Sequence, residues 1–114
     1  MSDCLFCNIA AGKIDSDIVL EEENAVAFRD INPQAPTHIL VIPRKHIARI
    51  SEAEDTDQEL LGELILLARK IADDEGISED GYRLVFNNGA HGGQAVEHIH
   101  LHLLGGRQLT WPPG

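Results

Sequence analysis

The chain has 114 residues, 43% of them hydrophobic, which is the length of one globular domain: enough to bury one core and too short for two. Nine Lys and Arg against nineteen Asp and Glu give a formal net charge of −10, which repels nucleic acid and anionic lipid over most of the surface, so any bound anion must be small and held locally. No apolar run reaches the roughly 18 residues that span a bilayer, and MSDCLFCNIA lacks the basic and long apolar regions of a leader; residues 1–114 are expected to form one cytoplasmic domain with no nucleic-acid or membrane partner.

In chain order, DCLFCNIAAGKI offers Asp3 as an N-cap and Gly12 as a stop, predicting a short helix over about residues 4–11. Cys4 and Cys7 within it are too close to form a useful structural staple. As a Cys-x-x-Cys pair they read as a zinc half-site, as a redox motif, or simply as small buried residues on one helical turn. DIVLEEENAVAFRD predicts two short strands with a turn near Glu23 and Asn24. NPQAPT is a proline-broken loop, and HILVIP after it is a third strand ended by Pro43. The long helix opens with a capping box from Thr56 to Glu59 and places Leu60, Leu61, Leu64, Ile65, Leu67, Ala68 and Ile71 on one broad face before Gly76 closes it. YRLVFN and VEHIHLHLL predict two more strands around the loop NGAHGGQA. The order of elements predicts an α+β domain with its helices on one side of an antiparallel sheet.

The last strand carries the chemistry. A period of two places Ile99, Leu101 and Leu103 on one face and His98, His100 and His102 on the other. Same-face neighbours lie about 6 to 7 Å apart, so two imidazoles can share one ligand. That ligand is either a metal, chelated by a His-x-His pair, or a phosphate attacked by a neutral imidazole while a neighbour handles protons. The preceding loop favours the phosphate: Gly89, Gly92 and Gly93 can adopt positive φ and turn successive N–H groups toward one point, a nest for an anion.

HIHLHLL preceded by GGQAV closely resembles the histidine triad (HIT) superfamily, whose signature is three alternating histidines each followed by a hydrophobic residue. FRDINPQAPTHILVIPRKHI and the tail GGRQLTWPPG are similar to the Hint branch, so the resemblance covers nearly the whole chain. It implies the HIT-like fold, an antiparallel five-stranded sheet with one long and one short helix, the sheet extended across a homodimer. It implies binding of purine nucleoside monophosphates and hydrolysis of their phosphoramidates, with no cofactor required for catalysis. By the same resemblance His100 is the nucleophile on the α-phosphorus, His102 stabilises the phosphate and assists the leaving amine, and His38 supports the proton relay. Asn87, Gly93, Gln94 and Val96 match the groups around the phosphate, and Asp30 the carboxylate that receives the ribose hydroxyls. Phe6, Ile9, Ile14 and Ile31 match the apolar slot for the purine, and Trp111 an aromatic that reaches the partner subunit's site. Cys4, Cys7, His46 and His98 match the ligands of the structural zinc that some bacterial relatives hold.

Ala95 departs from the branch, where many relatives carry serine; the hydroxyl that would bond the phosphate or leaving group is missing. Three other readings of the same residues are a dinucleoside polyphosphate hydrolase, a nucleotide-binding scaffold with incidental hydrolysis, and a zinc-dependent hydrolase using the triad as ligands. The compact LTWPPG terminus favours a small substrate over the first, and no clear carboxylate beside His100 and His102 argues against the last.

Overall fold

The computed structural model describes residues 2–114. Helix α1 (Leu5–Ala10) precedes strands β1 (Ile18–Glu21), β2 (Ala25–Arg29) and β3 (Thr37–Pro43); helix α2 (Gln58–Asp74), β4 (Tyr82–Phe86), a single helical turn α3 (Gly89–Gly92) and β5 (Leu101–Gly105) follow. The five strands form one antiparallel sheet in the order β1-β2-β3-β5-β4. The α+β class and the five-stranded sheet are those expected from the sequence.

The helices do not share one side of that sheet. α2 packs Leu64, Leu67, Ala68 and Ile71 onto Ala25, Ala27, Ile39, Val41, Leu101 and Leu103. α1 packs Phe6, Ile9 and Ala10 onto Val26, Phe28, Leu40 and Ile42, the alternate residues of the same strands and hence the opposite face. Every residue of β3 is buried, as is β2 up to Phe28, which is the pattern of strands covered on both sides.

Two further differences are local. α2 starts at Gln58, not at a Thr56 box: Asp55–Asp57 form a 3₁₀ turn in which the Asp57 carboxylate accepts the Glu54 N–H at 2.9 Å and Lys45 Nζ at 2.6 Å. The buried stripe of α2 rotates away from Ile65, which is 44% exposed, and takes in Ala72. At its other end Gly76 stops the helix as expected, its N–H bonding Asp73 O and that of Ile77 bonding Ala72 O, the paired bonds of a Schellman motif.

Regular pairing of the histidine strand begins only at Leu101, opposite Val41 and Phe86. Residues 96–100 approach it in an irregular segment in which the His98 N–H turns back to Val96 O and the Ile99 N–H bonds Ile47 O at 2.7 Å. The inside–outside alternation survives, with Ile99 in the core and the imidazoles on the α1 side.

Candidate active site and metal centre

Register places His102 level with Leu40 and Val85, and His38 one row further along with Leu104, so the two rings meet diagonally on one face of the sheet. His38 Nε2 lies 2.9 Å from His102 Nδ1 and 3.5 Å from Asp30 Oδ2. The proton positions follow from the partners. The Gln34 N–H donates to His38 Nδ1 at 3.0 Å, so in the neutral ring the proton sits on Nε2, which donates to His102 Nδ1. His102 then carries its own proton on Nε2. That atom is buried and, among the described residues, has no hydrogen-bond partner. A main-chain amide thus sets, through two rings, which nitrogen of His102 carries the proton.

His100 is fixed the other way round. Its Nδ1 lies 2.8 Å from the His98 carbonyl, which can only accept, so Nδ1 carries the proton and Nε2 presents a lone pair. The rings of His100 and His102 lie 5.0 Å apart. The face therefore carries one nitrogen lone pair, on His100 Nε2, and one buried N–H without a partner among the described residues, on His102 Nε2.

Burial, helped by the neighbouring His100 and His38, holds His102 down to a pKa of about 4, and burial also lowers His38 against the raising effect of Asp30. Both rings are neutral at pH 7. Because the folded chain binds fewer protons here than the unfolded one, stability is complete above the reference pKa of 6.5 and is lost progressively as pH falls toward about 4. Urea unfolding at pH 7 and pH 4.5 is expected to show a lower midpoint at the acid value, with His102 contributing up to about 3 kcal/mol of the loss; a chain whose midpoint is unchanged over this interval does not hold these rings neutral.

A second cluster lies where α1 meets the start of the histidine segment. His98 Nδ1 is 3.3 Å from Cys4 Sγ, 3.5 Å from Cys7 Sγ and 3.2 Å from His46 Nδ1, and Cys7 Sγ is 3.4 Å from His46 Nδ1. For a tetrahedral zinc with Zn–N of ~2.0 Å and Zn–S of ~2.3 Å, the N···N and N···S edges come to roughly 3.3 to 3.6 Å, so these donors already stand at the vertices. The tautomer fits as well. His98 Nε2 donates to the Pro43 carbonyl at 2.8 Å, leaving the Nδ1 lone pair toward the sulfurs, and burial lowers its pKa so that the ring stays neutral. Burial, then Cys4, raises the Cys7 thiol pKa, a shift that a dication would reverse.

Asp30, His38 and His102 also converge within chelating distance. Their hydrogen bonding speaks against a metal. The Gln34 N–H occupies the His38 Nδ1 lone pair, so a cation on Nε2 would force two donors against each other.

The remaining residues singled out in the sequence fall as follows. Asn87 is half-buried at the end of β4, its backbone against Gly92. Gly89 and Gly93 take positive φ, whereas Gly92, the third glycine expected to do so, ends α3 without it. The N–H groups of Gly93 and Gln94 are used within the loop, by Ala90 O and Gly89 O. The Gln94 side chain also serves the loop, accepting the Gly89 N–H and donating to Ala48 O and Val96 O. Val96 packs partly on the α1 cluster, and Ala95 is exposed beside it. Phe6 and Ile9 are buried and Ile14 partly so, whereas Ile31 is 97% and Trp111 82% exposed. Three orienting groups had no sequence signal, because they are main-chain atoms: the Gln34 N–H and the carbonyls of Pro43 and His98.

A five-stranded antiparallel sheet whose polar face carries interlocked imidazoles of fixed tautomer, beside a Cys₂His₂ cluster, defines a small α+β protein of histidine-based chemistry. The family model described as HIT domain matches residues 11–109. The chain is 51% identical over 115 residues to a 14 kDa zinc-binding protein of Zea mays, covering 99% of this chain and 89% of that one. Among solved structures it is similar to a HIT family hydrolase from Legionella pneumophila, with TM-score 0.97, 62% identity and coverage of 98% and 100% of the two chains. It is also similar to a histidine triad nucleotide-binding protein from Candida albicans, with TM-score 0.82, 30% identity and coverage of 96% and 83%. The chain belongs to the HIT domain family, and its fold is the HIT fold.

Proposed function

We propose that this chain is a Hint-type hydrolase that binds purine nucleoside monophosphates and cleaves the P–N bond of nucleoside 5′-phosphoramidates through a nucleotidyl intermediate on His100. The observation that carries the reading is the opposed pair of tautomers: a lone pair on His100 Nε2 beside an unpartnered donor on His102 Nε2. The likeness to the Legionella pneumophila HIT family hydrolase and the Candida albicans histidine triad nucleotide-binding protein supports the class.

In the first half-reaction His100 Nε2 forms a bond to the α-phosphorus as the bond to the leaving amine breaks. The ring becomes positively charged, with Nδ1–H still donated to the His98 carbonyl, whose dipole stabilises that charge. His102, neutral in the free site, bonds a phosphate oxygen; the phosphate charge raises its proton affinity, so that the ring takes up one proton from water as substrate binds and passes one to the departing amine, returning to its neutral form. In the second half water attacks phosphorus, gives a proton back through His102, and releases His100 and the nucleoside monophosphate.

The nucleotide would lie with its ribose on Asp30 and its purine toward Ile31, Phe6, Ile9 and Ile14. Asn87 and the Gly93 to Val96 loop would flank the phosphate, with the Val96 amide as the donor, since those of Gly93 and Gln94 are occupied. A homodimer continuing the sheet from the free edge of β4 would bring Trp111 to the partner's site.

Cys4, Cys7, His46 and His98 would hold a structural zinc, which supplies positive charge to two thiolates and ties α1 to the sheet; no step of the reaction passes through it.

The test is turnover of an adenosine 5′-phosphoramidate against a dinucleoside polyphosphate. Preference for the phosphoramidate supports the reading, and preference for the dinucleotide overturns it. Ala95→Ser restores one neutral hydrogen bond worth about 1 kcal/mol and is expected to raise phosphoramidate turnover roughly fivefold; unchanged turnover would show that the missing hydroxyl has no part in the reaction.

A further inference from the structure

We infer that the Cys4, Cys7, His46 and His98 centre sets the orientation of the nucleophile, so that His98 and Phe6 are positioning residues for His100. This inference rests on the two readings above, that the centre binds zinc and that His100 attacks phosphorus.

His100 stands just outside the sheet ladder, because regular pairing starts at Leu101. Strand pairing therefore does not fix its ring. Two other contacts do. One is the Nδ1–H bond to the His98 carbonyl at 2.8 Å, and the other is the edge of Phe6, whose centroid lies 5.0 Å from that of His100 at an interplanar angle of 83°.

Both supports belong to the Cys₂His₂ centre. Phe6 sits on α1 between Cys4, which caps the helix by accepting the Cys7 N–H, and Cys7 itself. The His98 carbonyl belongs to the peptide unit His98–Ile99, and the N–H of that same unit donates to Ile47 O, directly after His46. The peptide plane that aims His100 is thus held on one side by the ring of a ligand and on the other by the residue following a second ligand. Binding all four donors to one cation locks that plane. His46 is exposed, so little else fixes its ring, and α1 is only six residues long, held besides the two cysteines by the packing of Phe6, Ile9 and Ala10 on the sheet.

The expected consequence is a loss of chemistry without a loss of nucleotide binding. Groups behind a first coordination shell affect rate by about 10- to 100-fold, and misplacing a reacting atom by about 1 Å costs a similar factor.

The experiment compares zinc-loaded, metal-free and zinc-restored wild-type chain with His46→Ala. It measures metal content, AMP affinity, single-turnover cleavage of an adenosine 5′-phosphoramidate and the ring nitrogen signals of His100. Metal removal is expected to slow single turnover about 10- to 100-fold while AMP affinity stays within about threefold. The His100 signals should leave the Nδ1–H tautomer pattern, and zinc should restore both signal and rate in wild type but not in His46→Ala. Should the metal-free chain unfold, the cadmium-loaded chain replaces it: its longer metal–ligand bonds should shift the His100 signals and slow turnover in a folded protein. One zinc per chain with His100 signals and rate unchanged on removal, or with cadmium, overturns this inference alone. Well under one zinc per chain, with none taken up, overturns the zinc reading together with it. A loaded chain that turns over the substrate equally well as His100→Ala overturns the nucleophile reading instead.

Discussion

His100→Ala is expected to abolish phosphoramidate hydrolysis, lowering turnover about 10⁴-fold or more while leaving AMP affinity within a few fold. The magnitude follows from what the ring supplies. Its Nε2 presents a lone pair held free by a carbonyl on the opposite side of the ring, whereas the His98 Nδ1 lone pair, freed in the same way by Pro43, faces Cys4 and Cys7; an alanine at position 100 therefore removes the acceptor proposed for the nucleotidyl group. His102 cannot substitute, since its Nδ1 lone pair is taken by His38 and its Nε2 carries a proton. Binding should survive because the groups proposed to hold the nucleotide, Asp30, the Val96 amide and the apolar slot, are untouched. Residual turnover within about tenfold of wild type, measured with metal-depleted buffers, would assign the attack to water rather than to histidine.

The second large effect is at His102. Removing its Nε2–H takes away the one buried donor without a partner in the described residues, and the proton that the leaving amine requires. His102→Ala is expected to lower turnover about 10²- to 10³-fold, in the range general acid catalysis supplies. His102→Asn separates this from structural damage. Its side-chain oxygen can still accept the His38 Nε2–H as Nδ1 does, so stability should be largely kept, but no group reaches the position of Nε2. Equal turnover in His102→Asn and wild type would remove His102 from the proton path. A substrate whose leaving group needs no proton should recover much of the lost rate in both variants, because the defect then lies in a step that substrate bypasses.

Much of the site was written in short-range pattern. The alternation of His98, His100 and His102 with Ile99, Leu101 and Leu103 survives although the ladder covers only the second half of the segment, because burial of the aliphatic row fixes which way each side chain points. The Cys-x-x-Cys pair on α1 meets His46 and His98, a convergence the residues alone left open among zinc, redox and packing roles. What was not legible belongs to tertiary context or to the main chain. The Thr56 box lost to Asp57, whose carboxylate also receives Lys45, a partner twelve residues away in sequence. The short helix went to the face opposite α2 because β2 and β3 are buried on both sides, which the continuous runs AVAF and HILVIP allow but do not require. The tautomers, on which the chemistry turns, are set by the Gln34 amide and the Pro43 and His98 carbonyls, groups that every residue possesses and no sequence letter marks.

The most direct test of the central claim is mass spectrometry of the intact chain quenched during turnover of an adenosine 5′-phosphoramidate, followed by mapping of the modified peptide. The account predicts one adenylyl group on His100, forming as fast as amine is released and absent from His100→Ala. Steady turnover with no adduct, or an adduct on any other residue, would contradict it.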